Sequence, residues 1–261
     1  MKSWFWGDGF LMKNKTVFIT GGNEGIGFAT ALLFAEQGCN VAIMGRRADK
    51  NAEALKGLLK TGARCIAITG DVTREADVAR AVAQVTDTFG ALHYAFNNAG
   101  VTGNPVPFPE LSADEFDRVI GINLKGVWLS MKYELPAILA SGGGGIVNTG
   151  SIASGIGVSM LPAYVASKHA IIGLSRAAAL EYGKQGIRIN VVCPGMTTDT
   201  GIYAQLGEAA PEVEAAMIQM VPMGRFGQPR EIAQTVMYLC SDAASYITGQ
   251  ALYADGGYTV P

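Results

Sequence analysis

Along this chain, short apolar runs rich in β-branched residues alternate with longer stretches whose apolar positions recur every three or four residues. The runs TVFIT (16–20), NVAIMG (40–45), RCIAITG (64–70), LHYAFN (92–97), GIVNTG (145–150), IRINVVC (187–193) and QALYAD (250–255) have the composition of strands. Between them, GFATALLFAEQG, ADKNAEALKGLLK, READVARAVAQVTDTFG, ADEFDRVIGINLKGVWLSMKYELPAIL, PAYVASKHAIIGLSRAAALEYG and PREIAQTVMYLCSDA carry helical spacing. Strands that are nearly all apolar and are joined by helices belong to parallel sheets covered on both sides. The pattern predicts a single α/β domain over residues 12–261, a doubly wound parallel sheet of about seven strands with helices on both faces. No linker, repeat or low-complexity segment interrupts it. Residues 1–11, MKSWFWGDGFL, read as an N-terminal extension or an upstream start, too short and too broken by Gly and Asp for a signal peptide's apolar core. Its Trp4, Phe5 and Trp6 need a surface to pack on.

Composition narrows the function classes. At 261 residues, 49% hydrophobic and 16% charged, the chain can bury a large core. Its net charge is -2 and it has no basic run longer than Arg46-Arg47, which argues against nucleic-acid binding, where phosphate contacts need a basic stripe. The longest uncharged stretch, Leu135 to Ser167, contains seven Gly and two Pro, so it suits strand and loop better than a membrane span. Cys39, Cys65, Cys193 and Cys240 are scattered, as thiols of a reducing, cytoplasmic compartment would be. His93 and His169 are the only histidines and lie far apart, so packing roles suit them better than a shared metal.

The first predicted strand ends in TGGNEGIG, with Gly21, Gly25 and Gly27 opening a helix. Glycines there allow a tight turn and let a pyrophosphate approach the free N–H groups of the helix N-terminus. Asn23, Glu24 and Ile26 belong to the same turn. At the end of the second strand, where an acid commonly binds the ribose hydroxyls of NAD, stands Gly45 followed by Arg46 and Arg47. A guanidinium at that point suits the 2′-phosphate of NADP. Two features oppose this: the arginines can equally be a solvated helix entry, and the charge of Glu24 would repel a phosphate. Arg46 and Arg47 at that point still make NADP the expected cofactor, with NAD as the alternative.

Further marks follow in order: DV at 71–72, NNAG at 97–100, Asn123 in INLKG, Ser151 in NTGSIAS, Tyr164 and Lys168 in YVASK, PG at 194–195 and DGG at 255–257. With the glycine turn, this series resembles the one-domain branch of the short-chain dehydrogenase/reductase family over residues 13–259, and implies its Rossmann-like fold. The resemblance implies that Tyr164 is the general acid in carbonyl reduction and the base in alcohol oxidation. It implies that Ser151 polarises the substrate oxygen and Lys168 grips the nicotinamide ribose, and that Asn123 kinks its helix and holds a water linked to Lys168. Asp71 and Val72 would contact adenine. Asn98, Ala99 and Gly100 would line the cofactor cleft, and Pro194, Gly195 and Thr197 would lie by the nicotinamide. One departure stands out: four residues past Gly195, where the family places a threonine, this chain has Asp199 between Thr198 and Thr200.

The residues support the same roles. Positions four apart share a helix face, so Tyr164 and Lys168 point together, and a lysine cation beside a phenol draws its pKa toward neutrality. An acid–base group works best with its pKa near the working pH. The segments expected to cover the site are 101–110, 153–160 and a lid at 196–224. The lid holds Asp199, Glu208, Glu212 and Glu214 but no cation before Arg225. That favours a neutral, fairly apolar ketone or its alcohol over an anion or an acidic carrier protein. Ile202, Tyr203, Met217, Met220 and Met223 are candidate lid contacts, the methionines alternatively core fillers. The family commonly forms tetramers through the helix bearing the Tyr-Lys pair. Here Ala163, Ala166, Ala170, Gly173 and Ala177 make a small-residue stripe on that helix, which can face a partner or its own sheet. A homotetramer is expected. The rival outside enzymes is a nucleotide-binding sensor without activity, which the retained Ser, Tyr and Lys disfavour.

Overall fold

The computed structural model describes residues 12–199 and 211–260. The extension with Trp4, Phe5 and Trp6, and the lid residues Thr200, Ile202, Tyr203 and Glu208, lie outside the described residues. The elements run β1 (Thr16–Thr20), α1 (Gly25–Glu36), β2 (Asn40–Gly45), α2 (Ala48–Leu59), β3 (Cys65–Thr69), α3 (Glu75–Phe89) and β4 (Tyr94–Asn97). They continue with α4 (Ala113–Ile120), α5 (Gly126–Ala140), β5 (Gly144–Thr149), α6 (Pro162–Tyr182), β6 (Ile187–Pro194), α7 (Pro211–Gln219), α8 (Pro229–Cys240) and β7 (Ala251–Ala254). All seven strands are parallel, in the order β3-β2-β1-β4-β5-β6-β7.

Side chains alternate across the sheet and build two cores. Val17 and Ile19 of β1 face α1, α2 and α8, together with Val41, Ile43, Leu58 and Val236. Phe18, between them, faces α3, α5 and α6, with Val82, Leu135, Ile146 and Ile171. Burial on both faces is why the strands read as apolar runs without alternation. The sheet order reverses between β1 and β4, which opens a crevice at the carboxyl ends of the strands. The glycine turn, the NNAG segment and Ser151 all follow strand ends on that edge.

Two elements differ from the sequence pattern. The long helical stretch from Ala113 is three pieces: α4 and α5 are joined by a π-helical segment, Gly121–Lys125, that contains Asn123. The acidic segment read wholly as a lid includes the nine-residue helix α7. Its apolar positions make no continuous buried stripe, so periodicity did not reveal it.

Candidate active site

The glycine turn brings three segments close together without side chains between them. Gly21 and Gly25 have left-handed backbones, φ 63° and 53°. A Cβ on Gly27 would lie 2.0 Å from the Gly21 carbonyl oxygen, and one on Gly21 would lie 3.0 Å from both Ala99 Cα and Asn98 Nδ2. Asn98 Nδ2 donates to the Gly21 carbonyl at 3.0 Å, and Thr20 Oγ1 accepts from the Asn98 and Ala99 N–H groups at 3.1 and 3.3 Å. The first turn of α1 contains no acidic residue, and Glu24, its N-cap, forms no side-chain cap. Its N–H groups are thus presented to an anion, so the cradle fits the pyrophosphate of a dinucleotide.

At the end of β2, Asn23 Nδ2 donates to Asn51 Oδ1 at 2.8 Å, and Asn51 Nδ2 donates to the Gly45 carbonyl at 2.9 Å. A Cβ on Gly45 would meet these two amides at 2.5 and 2.6 Å. No side chain, and so no ribose-binding acid, fits at position 45 while they stand. Arg47 pairs with Glu24 at 2.6 Å. The charge of Glu24 is therefore answered by Arg47, and Arg46, exposed, has no ion pair among the described residues. Asp71 accepts from the Thr73 N–H and hydroxyl, both at 2.9 Å, and Val72 is buried against Gly126.

Ser151, Tyr164 and Lys168 come together below this cradle. Ser151 leaves β5 and caps a short 3-10 turn, accepting from the Ala153 N–H at 3.1 Å. Tyr164 stands in the first turn of α6, which starts at Pro162. It is nearly fully buried. Burial raises its pKa, and a hydrogen bond with the Ser151 side chain opposes the rise. Lys168, one turn on and 4% exposed, places Nζ 5.6 Å from the centre of the Tyr164 ring and donates to the Thr149 carbonyl at 2.8 Å. Burial pushes its ammonium down to about 8. The drop in the Tyr164 pKa expected from the lysine does not arise from these side chains alone: burial raises it, and Ser151 alone opposes the rise.

The π segment turns Asn123 inward, where Oδ1 accepts from the Val101 N–H at 2.8 Å and Nδ2 donates to the Val101 carbonyl at 2.8 Å and Ser167 Oγ at 3.1 Å. Gly100 lies between Asn123 and Lys168: a Cβ there would sit 3.3 Å from Oδ1 and 3.7 Å from Nζ. Sequence reasoning missed Ser154, whose hydroxyl accepts from the Ser151 N–H at 3.1 Å and donates to the Lys168 carbonyl at 2.9 Å. Its spacing, three residues past a helix-capping serine, was the available signal.

Gly195 packs on Asp255, and Thr197 is buried, donating to the Gly195 carbonyl at 3.1 Å. Asp199 has a left-handed backbone, φ 53°, and accepts from Thr198 Oγ1 at 3.3 Å. Met220 and Met223 are 51% and 64% exposed, so they are not core fillers. Beside Tyr164 a cavity of about 10 Å³, room for roughly one water, is lined by Leu111, Val119 and Met160 together with Thr102, Asn104 and Glu115. Glu115 is bound through both oxygens by Arg118 at 2.6 and 2.7 Å, which holds its carboxyl down at about 2.

A family model described as Enoyl-(Acyl carrier protein) reductase matches residues 21–259. The chain belongs to the short-chain dehydrogenase/reductase family. It is an oxidoreductase of a family that binds NAD(P). It is 45% identical to the cyclohexanol dehydrogenase of Acinetobacter sp. (strain SE19), over 94% of this chain and 95% of that one. It is 41% identical to a 2,5-dichloro-2,5-cyclohexadiene-1,4-diol dehydrogenase of Sphingobium indicum, over 95% and 98%. The crystal structure of levodione reductase superposes with a TM-score of 0.91 at 35% identity, covering 94% of this chain and 97% of that one. NAD+-bound xylitol dehydrogenase does so at 0.89 and 32% identity, covering 94% and 99%.

Proposed function

We propose that this short-chain dehydrogenase/reductase is an NADP(H)-dependent enzyme interconverting a neutral, fairly apolar ketone, ring ketones included, and its secondary alcohol. The observation that carries the reading is the buried Ser151–Tyr164–Lys168 group at the carboxyl edge of the sheet, beside the glycine cradle. Tyr164 gives its proton to the carbonyl oxygen in reduction and takes one from the alcohol in oxidation. Ser151, whose hydroxyl lies close to the phenol, holds that oxygen in line with it. Lys168, with its ammonium beside the ring, favours the phenolate and reaches toward the ribose, and Asn123 fixes the neighbouring loop. Bound nicotinamide supplies the hydride donor or acceptor, and in its oxidised form a second positive charge near the phenol.

The surface beside Tyr164, where Leu111, Val119 and Met160 adjoin Thr102, Asn104 and a Glu115 neutralised by Arg118, presents no uncompensated charge among its lining residues and so supports an uncharged substrate, and the cyclohexanol-oxidising relative supports a ring. For NADP, Arg46 is the cation left over once Arg47 is engaged, and position 45 has no room for an acid. The NAD-bound xylitol dehydrogenase keeps NAD as the second reading. Residues 12–261 act as one domain on this reading, with 196–224 as lid and Thr197 against the nicotinamide. The outer side of α6 exposes Ala166, Gly173 and Ala177, with Leu180 87% exposed, and supports pairing of copies in a homotetramer. Four unpaired thiols suit the cytoplasm, and no helix among the described residues is long and apolar enough to cross a membrane.

The test is a panel of cyclic and open-chain ketones and alcohols run with both nucleotides. NADPH should outperform NADH, and Arg46→Ala should weaken NADPH binding about 10- to 100-fold, the worth of a charge-assisted contact, while sparing NADH. Tyr164→Phe should abolish turnover and leave nucleotide binding intact. Equal rates with NADH would remove the Arg46 argument, and turnover by Tyr164→Phe would remove the mechanism.

A further inference from the structure

The core below the site holds one carboxyl group that no role above uses. Glu134, on α5, is fully enclosed at 0% exposure. Asn97 Nδ2 donates to its Oε2 at 2.9 Å, whereas Glu134 Oε1 and Asn97 Oδ1 have no hydrogen-bond partner among the described residues. The same Asn97 nitrogen donates to Asn148 Oδ1 at 2.9 Å. Asn148 Nδ2 donates to Ser175 Oγ at 2.9 Å, and Ser175 donates to the Ile171 carbonyl at 2.7 Å. Among the described residues no cation offsets the carboxyl. Glu75 of α3 is bonded to Lys132 and Tyr133 on the outer surface, and Arg74 and Arg80 pair with Asp77. On α6, Lys168 is held by the Thr149 carbonyl, and Arg176 and Glu181 face solvent. Tyr94 of β4 lies in the opposite core, and β5 carries no ionisable side chain.

We infer that Glu134 is a positioning residue held as the neutral carboxylic acid, the end post of a hydrogen-bonded chain, Glu134–Asn97–Asn148–Ser175, that fixes α5, β4, β5 and α6 beneath the reaction site. An ionised carboxylate here would be a buried charge without a counter-ion, beside an amide oxygen that already lacks a donor. One proton removes the charge and adds a donor where two acceptors are stranded. Burial pushing this carboxyl up to about 8 agrees. Two links of the chain directly precede residues of the site, and a third shares a helix with Lys168. Asn97 precedes Asn98 of the cradle, Asn148 precedes Thr149, whose carbonyl holds Lys168, and Ser175 lies two turns along α6 from Lys168.

An unfolded glutamate ionises near 4.3, so between that value and about 8 the folded protein binds one more proton than the unfolded chain. Wild-type stability therefore falls as pH rises through this window, and Glu134→Gln, a neutral isostere, lacks that term. The unfolding midpoint of Glu134→Gln should gain on wild type across the window and then run parallel to it. Infrared spectra of the wild type at neutral pH should show a deuterium-sensitive protonated-carboxyl band that Glu134→Gln lacks. In turnover, Glu134→Gln should keep the wild-type kcat, whereas Glu134→Leu should lose about tenfold or more with the nucleotide KM little changed. A missing carboxyl band, or a wild type and Glu134→Gln with identical pH dependence of stability, would overturn the neutral acid. Wild-type kcat in Glu134→Leu would overturn the positioning role. The turnover arm rests on the proposed activity. The infrared and stability arms do not, so failure of one reading is distinguishable from failure of the other.

Discussion

Lys168 carries its charge into a place that disfavours it. Its ammonium falls from 10.5 to about 8 on burial, a cost of roughly 3 kcal/mol to the folded state wherever the lysine is charged. Replacement by methionine removes that cost and leaves the Thr149 carbonyl without its donor, at about 1–3 kcal/mol. Lys168→Met should therefore unfold at an equal or slightly higher temperature near neutral pH while losing activity. The sign with pH is fixed, because a group with a lowered folded pKa is penalised below that pKa and relieved as pH climbs to its unfolded value. The advantage of the variant should shrink above pH about 8, as thermal unfolding at stepped pH will show. The Tyr-Lys spacing is legible in the sequence because it is local to one helix. The Glu24–Arg47 pair is not, because it forms only once β1 and β2 lie side by side. Glu24 was read as repelling a phosphate for want of that neighbour.

The elements were legible where apolar periodicity is strong, and every predicted strand appears within two residues of its expected ends. Periodicity did not show how Asn123 is turned inward. A π segment adds a residue to the turn without altering the apolar pattern enough to read. The insertion turns a polar side chain into the core, where it bonds both backbone groups of Val101. Asn123→Ala should strand those groups, each worth about 1–3 kcal/mol if buried. The expected result is a melting point lower by several degrees and faster proteolysis within 101–107. An unchanged melting point would mean that the loop does not depend on this anchor.

The architecture as a whole follows from strands apolar on both faces, which allow only a sheet covered on both sides. The order of those strands needs long-range contacts that no single run of sequence reports. α6 binds the two halves of the functional argument. Its inner side carries Tyr164 and Lys168, and its outer side faces solvent, with Ala166, Gly173, Ala177 and Leu180 beside His169 and Arg176. Were a second copy to cover that outer side, the helix would be braced from both directions, and without one, one side of the candidate site's support is water. Turnover per molecule should then depend on how many molecules are present, falling on serial dilution and recovering on reconcentration. An enzyme whose specific activity stays flat down to concentrations where light scattering sees only monomers would show that α6 needs no neighbour.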